Sequence, residues 1–231
     1  MTRLRPTSRI PALTLAALAA ASGWARGDFL VVPTPTAAYQ ATTSKVPIIG
    51  AQGTVSNAIS DGTLTITLSA PTTVASVGPG VFGWGNPPTV EATAPAVLFS
   101  QFQLSRTLTF NQALSTFGVE MQSNNGTSFL NPNFTLTATF FDGGTLVGTI
   151  SQRLVAPGGA RLFAASTTTD PFTSVTLTSS SGSGGFNFGQ VRYTVATVPE
   201  PSSLTLAILG ICGHGLAWCL RRAKRGVAME T

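Results

Sequence analysis

The side chains most often used for nucleophilic catalysis and transition-metal binding are missing from the central part of this 231-residue chain. The single histidine, His214, and both cysteines, Cys212 and Cys219, lie in an apolar segment near the C-terminus. Residues 28–197 therefore lack what a Ser-His-Asp or Cys-His arrangement needs, and they lack His or Cys ligands for zinc or copper. The carboxylates of Asp and Glu are therefore the remaining candidates for catalysis in this part of the chain.

Six acidic residues occur in residues 28–197, and no sequence motif pairs any two of them: Asp28, Asp61, Glu91, Glu120, Asp142 and Asp170. A glycosidase needs two facing carboxyls roughly 5 to 10 Å apart, so an acid-pair glycan hydrolase stays open as a third hypothesis. Asp61-Gly62, Asp142-Gly143-Gly144 and Asp170-Pro171 are typical of turns. A calcium site made from turn aspartates and backbone carbonyls is also open, although EF-hand spacing is absent. No other metal and no organic cofactor is expected.

Trp84 is the one tryptophan of residues 28–197, and it stands in a stretch rich in glycine and proline, residues 80–88. Such a loop could present the indole to a sugar ring, since sugars stack on exposed aromatic faces. The competing interpretation is a hydrophobic plug beneath the loop. Trp84 is therefore a candidate glycan contact.

Short alternating segments predict strands as the elements that carry these residues. Residues 63–68 and 134–140 alternate apolar side chains with threonine, which is typical of half-buried strands. The other predicted strands are 72–77, 96–102, 106–110, 114–121, 145–151, 161–165, 172–179 and 185–195. No helical period separates them, so the sequence predicts an all-β domain over 28–197, an antiparallel β-sandwich or jelly roll. In the last strand the apolar phase slips between Phe188 and Val191, which predicts a bulge near Gly189.

The basic excess lies at the two ends of the chain. The net charge is +5, but residues 28–197 contain five basic and six acidic residues, about −1 in all. A protein that neutralises several phosphates needs clustered Lys and Arg, so nucleic acid is not an expected partner.

Residues 1–27 have the three parts of a secretory signal peptide. The start is basic through Arg9, residues 10–21 are apolar, and small residues precede cleavage after Ala25 or Gly27. The apolar part is too short for the roughly 20 residues of a spanning helix.

The C-terminal segment has the composition of a membrane span. Residues 204–220 are apolar apart from Thr205 and His214, and a basic cluster follows at once: Arg221, Arg222, Lys224 and Arg225. We expect a transmembrane helix over about 202–220. The cations place residues 226–231 in the cytoplasm and residues 28–197 on the opposite side, in agreement with the signal peptide.

The sequence Val198-Pro199-Glu200-Pro201 stands directly before this span. Together with the apolar stretch and the arginine-rich end, it resembles the PEP-CTERM sorting signal of bacterial exported proteins, over residues 198–225. The resemblance implies recognition by an exosortase, a membrane-embedded cysteine protease-like enzyme, and cutting at or near Pro-Glu-Pro. The prolines keep this segment extended and out of a helix. The competing hypothesis is a permanent stop-transfer anchor.

Residues 96–195 are also similar to the sandwich ectodomains that often precede this signal. In the form compared, the last strand carries paired aspartates before an aromatic residue, where this chain has Phe188-Gly-Gln-Val-Arg-Tyr193. The sequence thus predicts a cell-surface or extracellular-matrix protein with a structural or adhesive, non-enzymatic role. The alternative is a carbohydrate-binding module acting on extracellular polysaccharide.

Overall fold

A computed structural model describes residues 28–77, 83–124, 133–155 and 159–197. These residues form an all-β fold with one short helix, α1 (Ala37–Thr42). The strands, in chain order, are β1 (Leu30–Val32), β2 (Ser44–Val46), β3 (Val55–Ser60), β4 (Thr65–Ser76), β5 (Ala96–Gln101), β6 (Ser105–Ser123), β7 (Asn133–Asp142), β8 (Thr145–Val155), β9 (Arg161–Ser166), β10 (Phe172–Ser179) and β11 (Gly185–Val195).

The prediction of an all-β domain is confirmed, and every predicted strand overlaps an observed one. In two places, a pair of predicted strands forms one long strand. Residues 63–68 and 72–77 both overlap β4, and residues 106–110 and 114–121 both fall in β6. The sequence did not predict β1, α1, β2 or β3, because residues 30–60 lack a clean alternation of apolar and polar side chains.

The 19-residue strand β6 organises the sheet, because its two halves pair with different strands. Its first half pairs with β4 through Leu108 and Phe110, and with β10 on the other edge. Its second half pairs with β11 on one edge and with β9 on the other. Since β4 pairs with β5 and β5 pairs with β11, strands β6, β4, β5 and β11 form a closed circuit of hydrogen-bonded neighbours.

Aromatic side chains from both halves of β6 meet in one core. The rings of Phe110 and Phe117 lie 4.7 Å apart, and Phe117 also contacts Phe140 of β7 at 6.4 Å. Phe29, just before β1, packs edge-on against Phe140 at 5.2 Å. The strands paired with the two halves of β6 therefore share one hydrophobic cluster.

The bulge predicted near Gly189 is confirmed. Gly189 is opposite Glu120 and Arg192 is opposite Gly118, so β11 has one extra residue over this interval. Gln190 absorbs it with a φ of 50°. Phe188 and Val191 are consequently both buried, although they have opposite phases in the sequence.

Candidate functional site

A buried carboxylate on β6 attaches the segment between β4 and β5 to the sheet. Glu120 is 0 % exposed and both of its carboxylate oxygens accept hydrogen bonds from this segment. The indole Nε1 of Trp84 donates to Oε2 at 2.6 Å, and the backbone N–H of Glu91 donates to Oε1 at 2.5 Å. One carboxylate thus holds two points of the segment that lie seven positions apart in the sequence.

The side chain of Glu91 continues this network to two cations. Arg192 of β11 binds it through two nitrogens, Nε to Oε2 at 2.7 Å and Nη2 to Oε1 at 3.0 Å. Lys45 of β2 donates to Oε1 at 2.9 Å. The paired fork of Arg192 is the strong form of an ion pair, whereas the Lys45 side chain is 42 % exposed and its ion pair contributes less.

Arg192 also fixes the end of α1. Its Nη1 donates to the carbonyl oxygens of Gln40 and Thr43, both at 3.0 Å. These carbonyls belong to the last turn and the C-cap, where helix carbonyls lack partners within the helix. At the other end, the side chain of Thr36 accepts from the backbone N–H of Tyr39 at 3.2 Å as an N-cap. A single guanidinium therefore joins α1, β11 and the segment that contains Glu91.

Tyr39 packs the helix against the sheet. A side chain at Gly118 of β6 would meet the Tyr39 hydroxyl and the Cβ of Ala164. The phenol is buried, and burial raises its pKa well above the ordinary value, with the nearby Glu91 and Glu120 acting in the same direction and Arg192 opposing. Tyr39 is consequently a neutral packing residue at any ordinary pH.

The two glutamates of the network differ in acidity. Burial raises the pKa of Glu120 to about 7, and the negative charge of Glu91 adds to the effect, while the bonds from Trp84 and the Glu91 N–H oppose it. Burial also opposes ionisation of Glu91, but hydrogen bonds from Arg192 and Lys45 outweigh it and hold the pKa of Glu91 below its ordinary value. Carboxyls with pKa values driven apart occur in acid–base pairs. Here, however, Glu120 has no exposed surface and both carboxyls are occupied by protein donors.

The structure corrects the prediction that a loop presents Trp84. Trp84 is 0 % exposed and packs against Val90, Val97 and Ala160. Its ring faces are covered and its N–H is bound to Glu120. The plug interpretation holds, and Trp84 is not available for sugar stacking.

The turn interpretation is confirmed for the aspartates. Asp61 Oδ1 accepts from the N–H groups of Thr63 and Leu64 at 2.9 and 2.8 Å, and Tyr193 donates to Oδ2 at 2.7 Å. Asp142 ends β7 before the positive-φ pair Gly143-Gly144, and Asp170 lies between β9 and β10. No three His, Cys, Asp or Glu side chains come together among the described residues in a way that could hold a metal ion.

Four predicted segments lie outside the described residues: the signal peptide over 1–27, the sorting motif (Val198, Pro199, Glu200 and Pro201), the expected span and the basic cluster. Within the described ranges, no helix has the length and apolar character that crossing a membrane requires.

The sequence did not single out the network of Glu120, Glu91, Arg192 and Lys45. One signal was available: Glu120 interrupts an apolar strand, 117–121, in which the other residues are buried. A charge in such a strand must have partners. The partners of Glu120 lie 29 and 36 positions away along the chain, and Arg192 lies 101 positions from Glu91. Spacing alone could not identify them.

No protein-family model matches the chain, and no curated protein is similar to it. Among solved structures, the enzymatically active domain of tailspike protein 4 of bacteriophage CBA120 matches with a TM-score of 0.30 and 15 % sequence identity. The match covers 58 % of this chain and 19 % of that chain. A similarity of this size assigns neither a fold nor a function.

Proposed function

We propose that the chain is a bacterial exported protein whose body is delivered to the cell surface or the extracellular matrix by the signal at 198–225. An exosortase would recognise Pro199-Glu200-Pro201 and process the tail, and the body would have a structural or adhesive role without enzymatic activity. The observation that carries the proposal is the order of the C-terminal segments in the sequence: Pro-Glu-Pro, an apolar stretch of spanning length, and a basic cluster.

The position of the last strand is compatible with this order. β11 ends at Val195, and the backbone N–H of Ala196 still donates to Ala113 at 2.9 Å. Pro199 follows three residues later. The proposed processing site would therefore stand directly beside the folded body, without a long linker.

For the body we propose a β-sandwich, as the sequence predicts. Support comes from the two strand sets that pair with the two halves of β6, and from the aromatic contact between Phe110 and Phe117 that joins them. A non-enzymatic role is supported by the lack of His and Cys in residues 28–197. It is also supported by the occupation of Glu91 and Glu120 with protein donors.

Glu200→Ala tests the sorting proposal. The substitution leaves the apolar stretch and the basic cluster unchanged, so insertion and orientation stay the same. We expect the variant to accumulate uncut in the inner membrane of the native host, while the parent protein moves outward in a shorter form.

Glu230→Ala is the matched control, because it removes the other glutamate of the C-terminal region but lies outside the motif. Cell fractionation and immunoblotting compare the three proteins. If the parent, Glu200→Ala and the control are all retained equally in the membrane at the same size, the sorting proposal is wrong and the segment is a plain anchor.

A second candidate function, carbohydrate binding, is favoured by Phe102 instead of Trp84. Phe102 is 75 % exposed and has a φ of 55°, a backbone conformation that bulky residues rarely adopt. Its loop is fixed on both sides: the Phe102 N–H donates to Gly184 at 3.1 Å, and the Leu104 carbonyl accepts from Ser179 at 2.9 Å. The protein thus holds an exposed ring in a strained, rigid position, which occurs at binding sites.

A glycan array of the parent, Phe102→Ala and Ile49→Ala tests this candidate. Ile49 is the control, since it is also an exposed apolar side chain, 76 % accessible. Binding that Phe102→Ala abolishes and Ile49→Ala retains would support the module. Absence of saturable binding by the parent would leave the structural role.

A further inference from the structure

The side chain of Arg106, near the start of β6, is a buried cation without a carboxylate partner. Arg106 is 6 % exposed, and its Nε has no hydrogen-bond partner. The other two nitrogens reach only backbone carbonyls, Nη1 to Ser105 at 3.2 Å and Nη2 to Pro71 at 3.5 Å. A guanidinium carries five N–H donors, so most of its bonding capacity is unused in a place where water is largely excluded.

Among the described residues, no carboxylate lies within ion-pair distance of Arg106. Glu91 forms ion pairs with Lys45 and Arg192, and Glu120 and Asp61 are bound to other donors. The short internal segments 78–82, 125–132 and 156–158 contain no Asp or Glu. A buried, unpaired charge is costly, which points to a partner that does not belong to the body.

Ser179 provides a second unused polar group on the same sheet face. Leu177 of β10 is directly opposite Arg106, and Ser179 stands two positions further along β10. Side chains two apart on a strand share a face, and diagonal neighbours across two strands lie within about 8 Å. Ser179 is buried, and its hydroxyl has no partner.

The pair is shallow rather than central. The carbonyls that Arg106 contacts belong to Ser105 and Pro71, and both of these residues are exposed. A ligand would therefore approach the guanidinium past the start of β6 and the middle of β4.

We propose that Arg106 and Ser179 form a binding site for an oxyanion. Nε–H and one Nη2–H make up an edge that matches two oxygens of a sulfate, phosphate or carboxylate group. The guanidinium reaches toward Pro71 of β4, whereas β10 lies on the other edge of β6, so the Ser179 hydroxyl donates to a second group of the same ligand and not to the anion on Arg106. This site is independent of the sorting signal and of Phe102, so its test does not depend on the proposed function.

Unfolding of the full chain in sodium sulfate and in sodium chloride at equal ionic strength tests the site. Sulfate stabilises proteins in general by exclusion from their surface, so the diagnostic is a saturable rise in the unfolding midpoint above that general effect. Arg106→Met should lose the saturable part, whereas Ser179→Ala, which removes a hydroxyl on the other edge of β6, should keep it.

Arg161→Met is the matched control. Arg161 likewise donates to the carbonyl of the preceding residue, Ala160, at 3.0 Å, but it is only half-buried. It should keep the full sulfate response. An equal response in the parent, Arg106→Met and Arg161→Met would overturn the proposal, as would a strictly linear dependence on sulfate in the parent. The second criterion applies even if Arg106→Met does not fold.

The source of the oxyanion is distinguished in a second arm with alginate, dextran sulfate and neutral dextran. Binding of the first two polymers that is lost in Arg106→Met and weakened in Ser179→Ala identifies an acidic polysaccharide as the ligand. Saturable stabilisation by sulfate without polymer binding identifies a small free anion.

Discussion

The stability of the body should fall as the pH rises from 5 to 8, and Glu120 should be the cause. Its pKa is about 7 in the folded protein, against an ordinary value of 4.5 for a solvated glutamate. A group whose pKa is raised on folding favours the folded state while it is protonated. Its contribution is fully present below about pH 4.5 and is lost as the pH rises through about 7.

The magnitude follows from the two pKa values. The difference of about 2.5 pH units, at about 1.4 kcal/mol each, gives about 3 kcal/mol in total. No screening discount applies, because Glu120 is 0 % exposed. An unfolded glutamate is already largely ionised at pH 5, so about 2.5 kcal/mol of the total should appear between pH 5 and pH 8.

Within residues 28–197, this pH window isolates Glu120 from the other ionisable side chains. Residues 28–197 contain neither His nor Cys, the side chains that ordinarily titrate near neutrality. Glu91 and Asp61 have lowered pKa values, because their hydrogen bonds outweigh burial. What they contribute to stability is lost only as the pH falls below this window.

Urea denaturation monitored by tryptophan fluorescence measures the effect. The full chain has three tryptophans, and Trp24→Phe with Trp218→Phe leaves Trp84, whose N–H is bound to Glu120. The same fluorescence in the folded protein should titrate with a midpoint of about 7.

Glu120→Gln is the control for the slope. The amide keeps one acceptor for Trp84 or Glu91 but carries no charge, so its stability should be nearly constant from pH 5 to 8. Parallel profiles for the parent and Glu120→Gln would refute the assignment of the raised pKa to this carboxyl.

Three further predictions concern packing, the charge network and the ends of the chain. Gly118→Ala places a methyl group against the Tyr39 hydroxyl and should destabilise the body by about 1 to 3 kcal/mol in urea unfolding. Arg192→Met leaves Glu91 and the end of α1 without their main donor and should cost about 3 kcal/mol, whereas the exposed Arg153→Met should change stability by less than about 0.5 kcal/mol. Material released by the native host should focus at a neutral or slightly acidic pH, because residues 28–197 have five basic and six acidic residues; a pI near 10.0, the value of the whole chain, would contradict removal of the ends.

Strands β7 and β10 were predictable because buried apolar side chains largely alternate with more exposed ones along them. In β7, for example, Phe134, Leu136, Ala138 and Phe140 alternate with polar threonines and are all buried. The same principle predicted the bulge in β11, since a change of apolar phase within one strand requires an extra residue. Residues 30–60 were not predictable in this way, because β1, β2 and α1 lie at the periphery and bury few side chains.

The candidate sites were less predictable than the strands. The prediction of Trp84 as a glycan contact was wrong, because its environment depends on Glu120, 36 positions away, which no local pattern connects to it. Arg106 gave no sequence signal, since a lone arginine at the start of a strand is ordinarily exposed. Its significance arises from the lack of a partner in the folded body.

The ion-paired charges of the described residues have a common position. Charged residues make up only 9 % of the chain, and strands with threonine on their open faces need no ion pairs to hold them. Ion pairs appear where a segment outside the main strands must be fixed: Arg192 attaches α1 and the segment that contains Glu91, and Glu120 anchors that segment to β6. Arg106 differs from these residues, because it is buried but attaches no segment through an ion pair. The same fold satisfies the largely buried guanidinium of Arg192 with its own carboxylate, so the lack of such a partner at Arg106 supports the proposal that Arg106 binds an anionic ligand.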